Sequence, residues 1–178
     1  MLGEVLSMFG GGGSVAEQVA PLLSQLGQHM EDKRKQYNLD RYFYMISVEN
    51  RDNEDKPVLK YMVEKNGHKM IVSDAKGNDC KYYGTQIFEQ MAGGGMMAKM
   101  LLAPMSGQIN QALKGITADL LQLKADTGTE HSFYIEHEFR NGKHEPHMVL
   151  KFMNNGIEEE LGNRLDSVGI VQMILGVK

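Results

Sequence analysis

The sequence predicts an α+β fold, an internal duplication of a helix-helix-three-strand unit whose antiparallel strands pack against long amphipathic helices. Three observations carry this. First, the stretches Phe43 to Gly67 and Phe133 to Gly156 read alike: both open with Phe-Tyr and both close on Asn-Gly. Between those marks each holds Val-Leu-Lys-aromatic-Met, as Val58-Leu59-Lys60-Tyr61-Met62 and Val149-Leu150-Lys151-Phe152-Met153. Second, apolar residues recur at helical spacing before each stretch and at a period of two within it. Third, glycine runs at Gly10 to Gly13 and Gly93 to Gly95 stand at matching places, and Ala20-Pro21 matches Ala103-Pro104. Shared order of this kind is the signature of a repeat. Residues 1–82 form the first repeat and 83–178 the second with a C-terminal helix, the two sharing one core as a single domain.

Taken in order, residues 2–9 make a short apolar helix that the glycines stop. Ser14 and Glu17 fit a capping box, which opens the next helix. Pro21 either kinks that helix or divides it into two short ones. Leu22, Leu23, Leu26 and Met30 mark its apolar face, and Lys33-Arg34-Lys35 sit where the helix dipole favours cations. From Tyr42 to Val48 the chain reads as a strand covered on both faces. Asn50 to Asp55 invites a calcium loop, yet Asp55 and Tyr61 stand where such a loop needs Gly and Glu, so a solvated turn is expected. Strands at 57–65 and 68–74 meet through Asn66-Gly67, which suits a type I′ turn. That register puts Leu59, Tyr61, Val63, Met70 and Val72 on the core side and turns Lys60, Glu64 and Lys69 outward.

In the second repeat a helix runs from Thr85 to Met91 and a longer one from Pro104 to Lys124. Met105, Ile109, Leu113, Ile116, Leu120 and Leu123 form one stripe along the latter, and the expected surface beneath it is the sheet, with a dimer seam as the alternative. An Asn141-Gly142 turn pairs Phe139 with His144, Ile135 with Met148 and Phe133 with Leu150. Residues 157–164 read as strand or helix, because Glu158-Glu159-Glu160 fits neither face of the matching strand in the first repeat. Val168 to Leu175 repeats the opening apolar helix.

Function is much less legible. The net charge of −4 argues against a nucleic-acid partner, which would be met by a clustered basic surface. One cysteine, Cys80, forms no internal disulfide, and the N-terminus lacks the basic region of a signal peptide, so a soluble cytoplasmic protein is expected. No nucleophile elbow, zinc-protease helix or phosphate-binding loop is present, and the chain leans away from an enzyme with no cofactor expected. His131, His137, His144 and His147 lie among glutamates, as metal ligands do. Strand register splits them over two faces, and His137 and His144 alone are diagonal neighbours, weak candidates for a metal site.

Methionine is the compositional oddity: 14 are present without tryptophan, and five lie between Met91 and Met105. Met96, Met97, Met100, Leu101 and Met105 form the candidate surface for a protein partner, a second copy, an apolar ligand or a membrane surface. Burial in the core is the competing reading. The expected function is therefore a non-catalytic interaction or assembly protein. The alternatives are a carrier of a lipid or other apolar ligand between helices and sheet, and an enzyme whose site converges only in three dimensions. For the enzyme, a polar pocket holding His137 or His144 would be the first sign.

Overall fold

A computed structural model describes residues 15–91, 95–140, 143–154 and 157–165. Helix α1 (Val15–Gln36) leads into strands β1 (Arg41–Arg51), β2 (Glu54–Lys65), β3 (His68–Ile71) and β4 (Lys81–Tyr83). Helices α2 (Gln86–Met91) and α3 (Met96–Leu102) follow, then a 3-10 turn at Ala103–Met105 and helix α4 (Ser106–Thr127). Strands β5 (His131–Arg140), β6 (Lys143–Asn154) and β7 (Ile157–Leu165) come last. The protein is thus mixed helix and antiparallel sheet. The apolar segments expected at residues 2–9 and 168–175 lie outside the described residues, as does the Asn141-Gly142 turn itself.

Pro21 lies inside α1, which runs on past it as one helix. Between β1 and β2 the connection is tighter than the charged run at Asn50 to Asp55 suggests. The strands pair as far as Arg51 and Glu54, leaving only Asp52 and Asn53, both at positive φ, as the turn. Short polar side chains tolerate that region, so Asp-Asn does the work usually given to Asn-Gly. Asn66 and Gly67 take the expected positive φ, and Val63 faces Met70 as expected. Met70 is nevertheless 56% exposed, because β3 is a short edge strand beyond the reach of the helices. Residues 157–165 are strand β7, not helix. Alternation resolves the acidic run: Glu158 and Glu160 turn to one face and Glu159 to the other.

The strands lie in the order β3-β2-β1-β5-β6-β7, with β4 also pairing β2. Two antiparallel meanders therefore meet at their first strands, β1 and β5, which pair from Phe43↔Glu136 to Ile46↔Phe133. All the described helices pack on one face. There Tyr44, Ile46, Leu59, Phe133, Ile135 and Met148 join Met30 of α1, Ile87 of α2 and Ile109, Leu113, Ile116 and Leu120 of α4 in one buried cluster. The stripe on α4 lies on the sheet, since that helix packs against β1, β2 and β5. Thr117 sits buried among its apolar residues by donating its hydroxyl to the Leu113 carbonyl at 2.8 Å. The helix stops at Gly128, whose φ of 73° lets its amide reach the Lys124 carbonyl.

None of the described helices lies over the opposite face, yet Phe43, Tyr134 and Val149 are buried there. Curling of the sheet accounts for this. Lys69 of β3 forms an ion pair with Glu158 of β7, although five strand-to-strand steps separate those edges along the sheet. Flat strands about 4.8 Å apart would hold the edges about 24 Å from each other, well beyond the combined reach of the two side chains. The face is therefore concave, and its edge strands approach one another. Lys60, Glu64 and Lys69 point away from the helices as the register requires, but into this trough, where they are half-buried and ion-paired.

Candidate functional site

Strands β1 and β5 stay paired for only a short length, and beyond Phe43↔Glu136 they part. A cavity of 280 Å³ opens in that fork, closed by the last turns of α1. Its walls are Met30, Glu31 and Arg34 from α1, Asp40 to Phe43 at the entry to β1, and Glu136 and His137 from β5.

Local sequence positions each charge. Glu31 and Arg34 are three apart on α1, so they meet on one face. Arg34 donates Nε and Nη2 to the two Glu31 oxygens at 2.7 and 2.6 Å, and its Nη1 reaches the Leu39 carbonyl at 3.3 Å. This bidentate grip raises the Arg34 pKa and ties the helix end to the strand that follows. Asp40 accepts the Asn66 amide at 2.8 Å, joining the β2–β3 turn to the rim.

Arg41 links the cavity to the concave face. It donates to Glu64 at 3.1 Å and to Glu158 at 3.4 Å, and it pairs with Glu136. Lys151 donates to Glu136 at 2.9 Å and to Glu158 at 3.5 Å. Three carboxylates and the cations Arg41, Lys69 and Lys151 thus alternate across the trough. Beneath them the rings of Phe43 and Tyr134 stack at 5.0 Å, with the Arg41 guanidinium 4.4 Å from the first and the Lys151 ammonium 5.2 Å from the second. These long side chains roof the small apolar core that none of the described helices covers.

An aromatic row crosses the helix-side face. His137 lies 6.2 Å from the Tyr44 ring, Tyr44 lies 4.6 Å from Tyr61, and Tyr61 lies 5.5 Å from Tyr82. Tyr61 donates to Gln90 at 2.7 Å. Burial pushes the Tyr42 phenol up to about 12 and raises Tyr44 and Tyr61 as well. At the end of the row the Cys80 thiol is also pushed up, by burial and then by Asp74, so thiolate is scarce. The described groups therefore offer balanced ion pairs around one imidazole, with the neighbouring phenols and thiol held protonated.

The other predicted residues scatter. His131 is buried, stacked on Phe152 at 4.9 Å, with Nδ1 2.8 Å from the Thr129 carbonyl oxygen. His147 is buried opposite Glu136 on the concave side. His144 pairs with Phe139 in the ladder, and its side chain lies outside the described residues. Among the described residues no group of three His, Cys, Asp or Glu side chains is placed to hold a metal ion.

The methionine-rich segment divides along α3. Ala98, Leu101, Leu102 and Met105 recur at helical spacing and are built into the core. Met96 and Met100, one turn apart on the other face, are 76% and 54% exposed. The Met97 side chain lies outside the described residues. No described helix is long and apolar enough to cross a membrane.

A second, more open hollow of 770 Å³ lies between the start of β2, Tyr83 and Gly84, and one flank of α4, with Pro57, Leu113, Ala118 and Leu121 among its walls. Sequence reasoning placed Arg34 at a solvated helix end and did not bring Glu31, Arg34, Arg41 and Glu136 together as the lining of a site. One signal was present: Lys151 stands between Leu150 and Phe152 in mid-strand, as an inward-facing charge does.

No family model matches the chain, no curated protein matches it, and no solved structure matches it.

Proposed function

We propose that this protein is a non-catalytic assembly module that associates with a second copy, or with a protein partner, through the outer face of α3. The observation that carries the reading is the exposure of Met96 and Met100 on one turn of a helix whose inner face is core. Core packing already explains Leu101 and Met105, so within the described part of this segment the exposed apolar surface narrows to this pair. A twofold contact needs a self-complementary patch, and uncharged flexible thioethers repack against their own kind without charge matching. Sedimentation velocity over a wide concentration range tests it. Association that weakens in a Met96→Glu/Met100→Glu variant supports the reading, while a strict monomer that captures no partner sinks it.

A second reading, carriage of an apolar small molecule, is favoured by the hollow walled by Pro57, Leu113 and Leu121 between α4 and the sheet. Native mass spectrometry of the purified protein separates the two, since carriage predicts a co-purifying ligand and assembly predicts multimers of the bare chain.

We also infer that the two meanders descend from one duplicated unit, with residues 1–82 and 83–178 as the copies. Support comes from the shared motif. Val58 and Val149 both face the trough, Leu59 and Leu150 both join the helix-side core, and Lys60 and Lys151 both reach a carboxylate in the trough.

A further inference from the structure

The assembly face just described carries sulfur, and we propose that Met96 and Met100 form a paired oxidation site through which a hydroperoxide switches association off. This rests on the assembly reading and adds its regulation. The chemistry is oxygen transfer. The thioether sulfur attacks one peroxide oxygen, an S–O bond forms as the O–O bond breaks, and a proton moves to the departing oxygen. Sulfur loses two electrons to become the sulfoxide, and hydrogen peroxide is reduced to water.

Access selects the residues. Met30, Met105 and Met148 are buried in the helix-side core, whereas Met96 and Met100 lead into solvent at 76% and 54% exposure. Cys80, the residue usually first to meet peroxide, competes poorly, because burial and the adjacent Asp74 keep its thiol protonated. Consequence follows from position. A sulfoxide is polar, so oxidation converts the one apolar turn of α3 that faces outward into a hydrophilic one. Ala98, Leu101 and Leu102 stay shielded on the inner face, so the fold is left standing. Met70 and Met153, 56% and 39% exposed on the sheet, react without touching α3 and serve as internal controls.

The test treats the full-length protein with limiting hydrogen peroxide, maps sulfoxides by peptide mass spectrometry, checks the fold by circular dichroism, and measures association by sedimentation velocity. Sulfoxide at Met96 and Met100 ahead of Met30, Met105, Met148 and Cys80 is expected, with association weakened about tenfold or more. A Met96→Leu/Met100→Leu variant keeps the apolar face without the sulfur, and is expected to associate normally and resist peroxide. Unchanged association after both sulfoxides form overturns this inference and leaves the assembly reading intact. So does equal peroxide sensitivity in the leucine variant, which would move the responsible sulfur elsewhere in the chain. An untreated protein that neither associates with itself nor captures a partner removes the assembly reading, and this inference with it.

Discussion

The two meanders use the same words to build different things. In both, the Val-Leu-Lys-aromatic-Met motif sits in the second strand with its valine and lysine toward the trough. The first strands differ: Phe43 lies on the concave side, whereas Phe133 lies on the helix side, so the shared Phe-Tyr dipeptide is turned over. Counting back from the turn explains it. Arg51 pairs with Glu54 and Arg140 with Lys143 at the ends of their ladders, and Phe43 lies eight positions before Arg51 while Phe133 lies seven before Arg140. An odd difference reverses the face, because side chains alternate with a period of two. The lesson is that the turn, and not the local dipeptide, assigns faces, and one residue between them exchanges the cores to which a phenylalanine and a tyrosine belong. The product is complementary: Phe43 from one meander stacks on Tyr134 from the other, on the face the helices leave bare.

The largest effect that breaks the symmetry is expected from the paired leucines. Leu59 is fully buried beneath α4 and between neighbouring strands, whereas Leu150 lies only partly inside the same cluster. Truncating a buried leucine costs about 2 to 5 kcal/mol, through lost transfer energy and the cavity left behind. Urea denaturation of Leu59→Ala is expected in that range, with Leu150→Ala clearly smaller. Equal losses would mean that the meanders contribute alike and that the second is as tightly packed as the first.

That asymmetry marks the boundary of what local pattern reveals. Turn chemistry at Asn66-Gly67 and the four-and-three stepping of Met105 to Leu120 are encoded within a few residues, so register and stripe were legible. The curl of the sheet was not. Lys69 and Glu158 each look like surface charges on a solvated strand, and nothing nearby in the chain records that they meet across the molecule. The fork cavity is hidden for the same reason: it depends on where β1 and β5 stop pairing, a property of two distant segments together. Charged residues gave the poorest reading throughout. The run at Asn50 to Asp55 read as a longer turn than the two residues found, and Glu158-Glu159-Glu160 left strand and helix both open.

A smaller effect is expected where the two meanders are tied electrostatically. Glu158 of the second meander pairs with Lys69 and Arg41 of the first, and these side chains are 17 to 27% exposed. Such pairs stand between surface bridges, which contribute little, and buried ones, whose breakage is costly. Glu158→Gln is expected to cost about 1 to 2 kcal/mol. Faster amide hydrogen exchange should appear along β7 and β3, with the remaining strands near wild type. Exchange that rises evenly through the sheet would show that the edges are held together by something other than this bridge.

The smallest effect belongs to a carboxylate that never leaves its own meander. Glu49 of β1 pairs with Lys60 at 3.0 Å and Lys81 at 3.3 Å, and accepts the Tyr83 hydroxyl at 3.1 Å. Burial by itself raises its pKa, but the hydrogen bonds from Lys60, Tyr83 and Lys81 outweigh that and hold it below the ordinary 4.5. A carboxyl whose folded pKa is depressed binds protons more weakly in the native state than in the unfolded one. Its stabilisation is therefore present above about pH 4.5 and disappears as pH falls through the folded value. Glu49→Gln is expected to flatten the fall of stability with acid in that window while leaving the slope near neutrality unchanged, as read from urea midpoints at a series of pH values. Because Glu158 spans both meanders and Glu49 spans neither, combining Glu49→Gln with Glu158→Gln should give additive losses. Departure from additivity would show that the trough's two charge clusters act as one network and that the meanders are coupled more closely than their separate ion pairs imply.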